Sequence, residues 1–397
     1  MSKCKISKHI NKQGNSVVFL TIILATLISI TLTLVFASRQ QAQISIADGA
    51  LNLAGTSILS EYDYYVQKDY GIFLLRGTDK EFSGYLKDYS GYPGTVTAGR
   101  YSTVNIEPVR KQILEYMKLT GAADSLGKSS SSETAATEEH TLRHGPTITS
   151  LPSRSLPDKS IVTSAQQLAD NIKNPEAIFR GGTNKYLLDS YILSKFNNST
   201  CVSRSDHFFS REVEYIICGE LSDAANKRKT DLALEAFRTG LNLTHIYSDP
   251  EKVAAITAAA EVITPGVLGT VTQAGIAAVW AAAEAVNDVK LLHNGKRVPI
   301  VKDKTSWALE LESLLNGYDA QEGCISPAID KGRTYNDYLR ILLFIKDDNI
   351  KTARILDLIQ INMRKNHDSE FLIQECATGI SIDAYVNEKK LSYDKVY

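Results

Sequence analysis

Glu284 and Asp288 stand one helical turn apart in the alanine-rich run 270–292, so a helix there would place both carboxylates on one face. Paired carboxylates can share acid–base work, one giving and one taking a proton. That chemistry requires a histidine or a second polar group converging on them in one cleft. Without it, the pair is a charge stripe that is solvated or salt-bridged. Residues 122–129 (AADSLGKS) fit a relaxed phosphate-binding loop, with Ala122 in place of the first glycine. Phosphate binding of that kind needs a strand before the loop and a helix after it. Here a helical pattern precedes and a Ser-rich run follows, so no nucleotide site is expected. Ser125 and Lys128 spell S-x-x-K, and Lys304-Thr305-Ser306 loosely resembles the third motif of penicillin-binding enzymes. Such a serine must open a buried helix, whereas Ser125 lies in low-complexity sequence. His140 and His144 have ligand-like spacing, but no cysteine pair joins them, so no metal is expected.

Four cysteines follow the apolar N-terminal run: Cys201, Cys218, Cys324 and Cys376. An even count in an exported domain permits two disulfides in any of three pairings, and buried free thiols are equally compatible with it. No catalytic residue, cofactor or metal ligand is assigned.

The elements that would position these residues begin with an apolar run. Residues 17–37, bounded by Val17 and Ala37, contain no charge. As a helix at about 1.5 Å per residue they span roughly 32 Å, near the hydrocarbon thickness of a bilayer. Lys3, Lys5, Lys8 and Lys12 precede the run, and the first acid is Asp48. The positive-inside rule then places residues 1–16 in the cytoplasm and the rest outside. The alternative is a signal peptide cut after Ala37, although signal h-regions are usually shorter. Thr26, Ser29 and Thr33 share a face and could bond across helices or to their own backbone.

Beyond the run, Ile44, Ala47, Leu51, Ala54, Ile58, Tyr62 and Tyr65 keep a 3/4 spacing. This predicts one helix over about 16–69, stopped at Gly71, with Gly49 and Gly55 weakening it locally. Nine of the 19 tyrosines fall between Tyr62 and Tyr116, rings suited to half-buried or interface positions. Strands are expected at 96–106, 207–218, 297–301 and 370–385. Helices are expected at 108–119, 184–196, 222–243, 251–263, 270–292, 335–346 and 350–364. The fold class is therefore α+β, mainly helical, with a small antiparallel sheet. The parts are a basic tail 1–16, a membrane helix 17–37, a membrane-proximal segment 38–120, a Ser/Thr/Pro-rich linker 121–165 and a distal domain 166–397. The 397 residues carry 45 acids and 44 bases, and mean hydropathy is −0.15. That balance gives no bulk attraction to nucleic acid and excludes a polytopic membrane protein.

Several segments in order carry a resemblance. They are Gly14-Asn15-Ser16 before the apolar run, 60–73 (SEYDYYVQKDYGIF), 112–118 (QILEYMK), 214–219 (EYIICG), 280–292 (WAAAEAVNDVKLL), 296–302 (KRVPIVK), 335–343 (YNDYLRILL) and 354–362 (RILDLIQIN). The chain resembles an uncharacterised family of single-pass envelope proteins of Gram-positive anaerobes, defined by a domain of unknown function. Its N-terminus is similar to TadE- and TadG-like minor pilins. The resemblance implies an accessory or pseudopilin-like role in a Tad/Flp-type pilus or related secretion assembly, with assembly proteins and the bilayer as partners. It also implies prepilin-type processing at Gly14. The fifth residue after Gly14 is Phe19 rather than the glutamate such processing accompanies, which departs from the pattern. The alternative function is an anchored extracytoplasmic enzyme acting on the envelope.

Overall fold

The computed structural model describes residues 13–103, 105–120, 139–142, 146–172, 179, 183–202, 204–317, 323 and 331–397. The fold is α+β, with a long apolar N-terminal helix. The chain divides into two units, interleaved in sequence. Unit 1 comprises residues 1–62, 77–101 and 379–396; unit 2 comprises 63–76, 102–378 and 397.

Unit 1 is built on α1 (Gln13–Leu59), α3 (Asp79–Ser90), β2 (Val96–Ser102), most of β3 (Cys376–Val386) and β4 (Lys389–Val396). Residues 17–37 of α1 are exposed throughout. Among the described residues this is the one helix long and apolar enough to cross a membrane, as an anchor or as a signal sequence. Within it Thr26 Oγ1 donates to Ile23 O and Thr33 Oγ1 to Ser29 O, so these hydroxyls bond their own helix. Further along, the expected stripe is buried: Ala47, Leu51, Ala54 and Ile58. Ala47 and Leu51 pack on Ala384, Val386 and Leu391 of the β3–β4 hairpin. Gly55 earns its place by packing: a Cβ there would meet Ile382 Cδ1 at 2.5 Å.

The predicted single helix to residue 69 is corrected. It ends at Leu59, and a separate helix α2 (Tyr64–Tyr70) opens unit 2. The reason is Asp63, whose carboxylate accepts from the N–H groups of Tyr65 and Val66 at 3.0 Å each. A capping aspartate with extended backbone starts a helix rather than continuing one. Gly71 does stop α2, in the left-handed conformation (φ 69°).

Unit 2 holds α2, β1 (Leu75–Arg76), α4 (Glu107–Thr120), α5 (Ile161–Asn171), α6 (Asn184–Lys195), α7 (Glu212–Cys218), α8 (Asp223–Ser248), α9 (Pro250–Ile263), α10 (Gly269–His293), α11 (Leu311–Leu315), α12 (Tyr335–Ile345) and α13 (Asp348–Asn366). β1 pairs antiparallel with the start of β3, Leu75 opposite Ala377. Two strands expected in this unit are not formed. Residues 297–301 make a single bridge, Val298 to Arg333. The alternating run before Cys218 is helix α7, because a short buried apolar stretch has no period that separates strand from helix. The later part of the Ser/Thr/Pro-rich stretch packs on α13 through the turn Pro152–Ser155, with Leu151 buried.

At the centre lies α13, buried at every position from Ile350 to Met363. Arg354 sets the end of α7: its guanidinium donates to Ile216 O and Ile217 O at 2.9 Å and pairs with Asp158 at 2.7 Å. A cation suits a helix C-terminus, where carbonyls lack partners. The next residue, Gly219, has φ 73°, and a Cβ there would collide with that guanidinium.

Two substitutions test these turns. Gly219→Ala should cost about 2 kcal/mol or more in urea unfolding, from left-handed strain together with displacement of Arg354. In the β3–β4 turn, Asn387 and Glu388 both have positive φ, 47° and 66°. Glu388→Gly should stabilise the chain by about 0.4–1 kcal/mol in the same assay, as a turn of this hand favours glycine.

Candidate functional site

The acids singled out in the sequence do share a face of α10, and that face is inside the protein. Glu284 and Asp288 are fully buried. α10 pairs with α8 along its length and with α9 as a helical hairpin. From α8, Arg238 Nε donates to Asp288 Oδ2 at 2.9 Å and Asn242 Nδ2 to the same oxygen at 3.2 Å. Lys302 Nζ lies 2.7 Å from Asp288 Oδ1 and also pairs with Glu284. Glu284 accepts further from Ala308 N at 3.0 Å and Leu309 N at 2.8 Å. Arg238 completes its bonds on Ile300 O at 2.8 Å and Pro299 O at 3.0 Å. Burial pushes the nearby Tyr338 hydroxyl up to about 12.

Two cations and two carboxylates thus cancel out of reach of water. Isolated, each buried charge would cost several kcal/mol; matched and hydrogen-bonded, they become a geometric lock. The lock holds the chain from Pro299 to Leu309 against the α8–α10 pair. It explains why 297–301 is held by side chains rather than by a sheet.

Beside it is an aromatic cluster. Trp280 and Trp307 meet edge to face, centroids 5.4 Å apart, and both indole N–H groups donate to Leu309 O, at 2.8 and 2.7 Å. Lys252 of α9 places its ammonium 4.7 Å from the Trp280 ring and 4.2 Å from Trp307. This cation–π seat ties α9 to the base of the hairpin. His245 lies against Trp307 at 5.3 Å. Burial and the charge of Lys252 hold its pKa below the ordinary value.

The histidines do not converge on the acids. His207 meets Glu212 at 2.7 Å, His293 meets Asp231 at 2.7 Å, His140 lies 3.7 Å from Asp223, and His367 lies 3.9 Å from Asp69. Among the described residues, the partners of the Glu284 and Asp288 oxygens are Arg238, Asn242, Lys302 and the backbone N–H groups of Ala308 and Leu309. Cavities of about 570 and 480 Å³ in unit 2 are lined by neither acid and by no histidine. Among the described residues no cluster of three or more His, Cys, Asp or Glu could hold a metal.

The cysteines are scattered. Cys218 ends α7 with its thiol 3.3 Å from Thr230 Oγ1, and burial pushes its pKa up to about 11. Cys376 opens β3 with Sγ 3.7 Å from Leu372 O, and Cys201 sits in the turn that pairs Asn198 with Cys201. Cys324, His144, Ser125 and Lys128 lie outside the described residues. Gly14 is in the first turn of α1.

Sequence reasoning found the two acids but not Arg238, Lys302, Lys252 or the tryptophan pair. One signal was present: no base stands three or four residues from either acid, so a buried pair on this helix had to draw cations from elsewhere in the chain.

Removing one member of the lock should be costly. Asp288→Asn, which leaves Arg238 and Lys302 under-neutralised, should lower the unfolding free energy by about 3–5 kcal/mol in denaturant titration. Lys304→Met, at an exposed pair with Glu251, should change it by less than about 1 kcal/mol.

The profile of a family described as a family of unknown function (DUF5702) matches residues 131–388. That span contains the charge lock, the tryptophan pair and the α9–α10 hairpin, and it excludes α1. No curated protein and no solved structure matches the chain. The match covers well over half of the sequence, and the chain belongs to this family of unknown function, DUF5702.

Proposed function

We propose that the protein is a membrane-anchored, non-enzymatic docking component of an envelope assembly. Its N-terminus would be cytoplasmic and its folded units extracytoplasmic. One observation carries the reading: α1 passes without a break from the exposed apolar run into the buried stripe at Ala47, Leu51, Ala54 and Ile58. A cut after Ala37 would fall inside a continuous helix, whereas signal cleavage suits a segment that ends in extended chain. The bilayer segment is then a structural part of unit 1. The lysines before it support the inward orientation of the N-terminus.

Docking would use the faces of unit 1 that its core leaves open. Ile46 and Leu53 lie on the uncovered side of α1, Ile46 72% exposed. A cavity of about 400 Å³ is lined there by Ile46, Ala50, Tyr92 and Val386, among others. Tyr85 and Tyr89 of α3 are exposed and stacked at 6.2 Å, rings well suited to an interface. The resemblance of the N-terminus to TadE- and TadG-like minor pilins narrows the assembly to a Tad/Flp-type pilus or related secretion machine. Phe19 at the fifth position after Gly14 argues for an accessory subunit that keeps its leader. The enzymatic alternative needs acids and a histidine in one cleft, and it draws no support from the site above.

Photo-crosslinking residues placed at Ile46 and Tyr85 of the full chain in native membranes should capture another envelope protein. Carbonate-washed membranes should retain a chain whose N-terminus precedes Val17. Repeated failure to capture a partner would overturn the docking role, a soluble mature form starting near Ser38 would overturn the anchor, and a start at Asn15 would favour filament entry.

A further inference from the structure

No charged side chain occurs between Glu261 and Glu284, yet only the later part of this stretch, from Ala277, is core. It forms the end of α9, the turn and the first half of α10. The tip is bare: Val262 is 84% exposed and Val267 93%, with Ile263, Leu268 and Val271 also exposed. Five large aliphatic side chains on one short tip exceed the scattered apolar exposure that any surface carries.

Several polar groups of the tip are bonded within the hairpin. Gly269 N donates to Gly266 O at 3.0 Å, and Thr264 N to Ala260 O at 2.8 Å. Thr272 Oγ1 meets Thr264 Oγ1 at 3.0 Å, and Gln273 Nε2 donates to Thr257 Oγ1 at 2.8 Å. A surface built to recognise a protein keeps donors and acceptors available and is rich in Trp, Tyr and Arg. This tip has no such residue and offers few free donors. Aliphatic side chains, absent charge and hydroxyl and amide groups bonded inside the hairpin are what suits a segment entering the headgroup boundary of a bilayer, where the remaining backbone groups still meet water. The base is rigid, because the charge lock and the Lys252 cation–π seat fix both helices below the tip.

We propose that the tip of the α9–α10 hairpin, residues 262–271, inserts into the boundary between lipid headgroups and acyl chains. The occupant is a lipid bilayer, recognised by hydrocarbon rather than by headgroup charge. This is a second membrane contact, in the family-matched region, and it does not require that α1 be retained.

The test uses the full chain with a benzophenone amino acid at position 267 or 268, or at the exposed Leu232 of α8 as control. The chain is placed in vesicles of phosphatidylcholine, with and without phosphatidylglycerol, illuminated, and examined by mass spectrometry for lipid adducts. Adducts at 267 and 268 should exceed those at 232 by about tenfold or more, the scale set by burying one aliphatic side chain. The yield should not change with phosphatidylglycerol or with salt, since the tip has no charge to screen. Adding Val271→Asp should return the yield at 267 to the control level with the helical circular dichroism unchanged. Yields at the control level, or a dependence on phosphatidylglycerol, would overturn the proposal. So would a discrete protein adduct at 267 in native membranes, which would assign the tip to a protein partner. Loss of the anchor is read separately by carbonate extraction, and a released chain still meets the vesicles, so the two readings fail independently.

Discussion

A helix buried on every side must not carry an unmatched polar group, and α13 carries six polar or charged side chains in its buried stretch, of which Thr352 bonds its own helix at Asp348 O and five reach other segments. Lys351 pairs with Asp189 at 2.5 Å, and Asp357 accepts from Tyr215 Oη at 2.9 Å and Ser153 N at 3.1 Å. Gln360 accepts from Ile373 N at 2.9 Å and donates to Ser150 Oγ at 2.9 Å. Asn362 reaches Phe208 N, Tyr70 Oη and Glu212. Arg354 takes the carbonyls ending α7. The partners are spread over α2, α6, α7 and the segments at 150–158, 208 and 373, so the arrangement of unit 2 around α13 is dictated by the cost of leaving any of these groups unpaired. That cost is about 1–3 kcal/mol for a neutral group and more for a charged one.

The charge lock on α10 repeats the principle at a second place. Hydrophobic contacts alone permit helices to slide by a turn at little cost. A buried carboxylate that must meet Arg238 and Lys302 does not. The α8–α10 pair is held in one register, and with it the hairpin that α9 and α10 form. Rigidity at the base and bare aliphatic surface at the tip are then two ends of one device. The oxygens of both acids are committed to Arg238, Asn242, Lys302 and the backbone, so their role in the fold is to hold register.

Unit 1 solves a different problem, a helix that is apolar on all sides before residue 38 and on one stripe after it. The stripe works because small residues alternate with large ones. Gly55 admits Ile382, and Leu51 fills the space beside Leu391 and Val386. The hairpin turn at Asn387 and Glu388 sets the register of β4 and therefore the surface α1 meets. A residue that weakens the isolated helix thus strengthens the packed one.

Local chemistry made much of this legible from residues alone. The charge-free run, the 3/4 stripe, the glycine stop at Gly71, the long helices and the α+β class follow from spacing and composition, which act within a few residues. Asp63 shows the limit even there: a single capping carboxylate ended a pattern that otherwise ran on. The buried run before Cys218 could be strand or helix until its neighbours were known. What only the tertiary structure decided is which charges meet. Glu284 and Asp288 stand one turn apart by sequence, but Arg238 is some fifty residues away and Lys302 lies across a loop. No period encodes such a pairing; it is selected when burial makes an unmatched charge too costly to keep. The same holds for the bare hairpin tip. Its residues read as ordinary core until the fold leaves them with nothing to cover them.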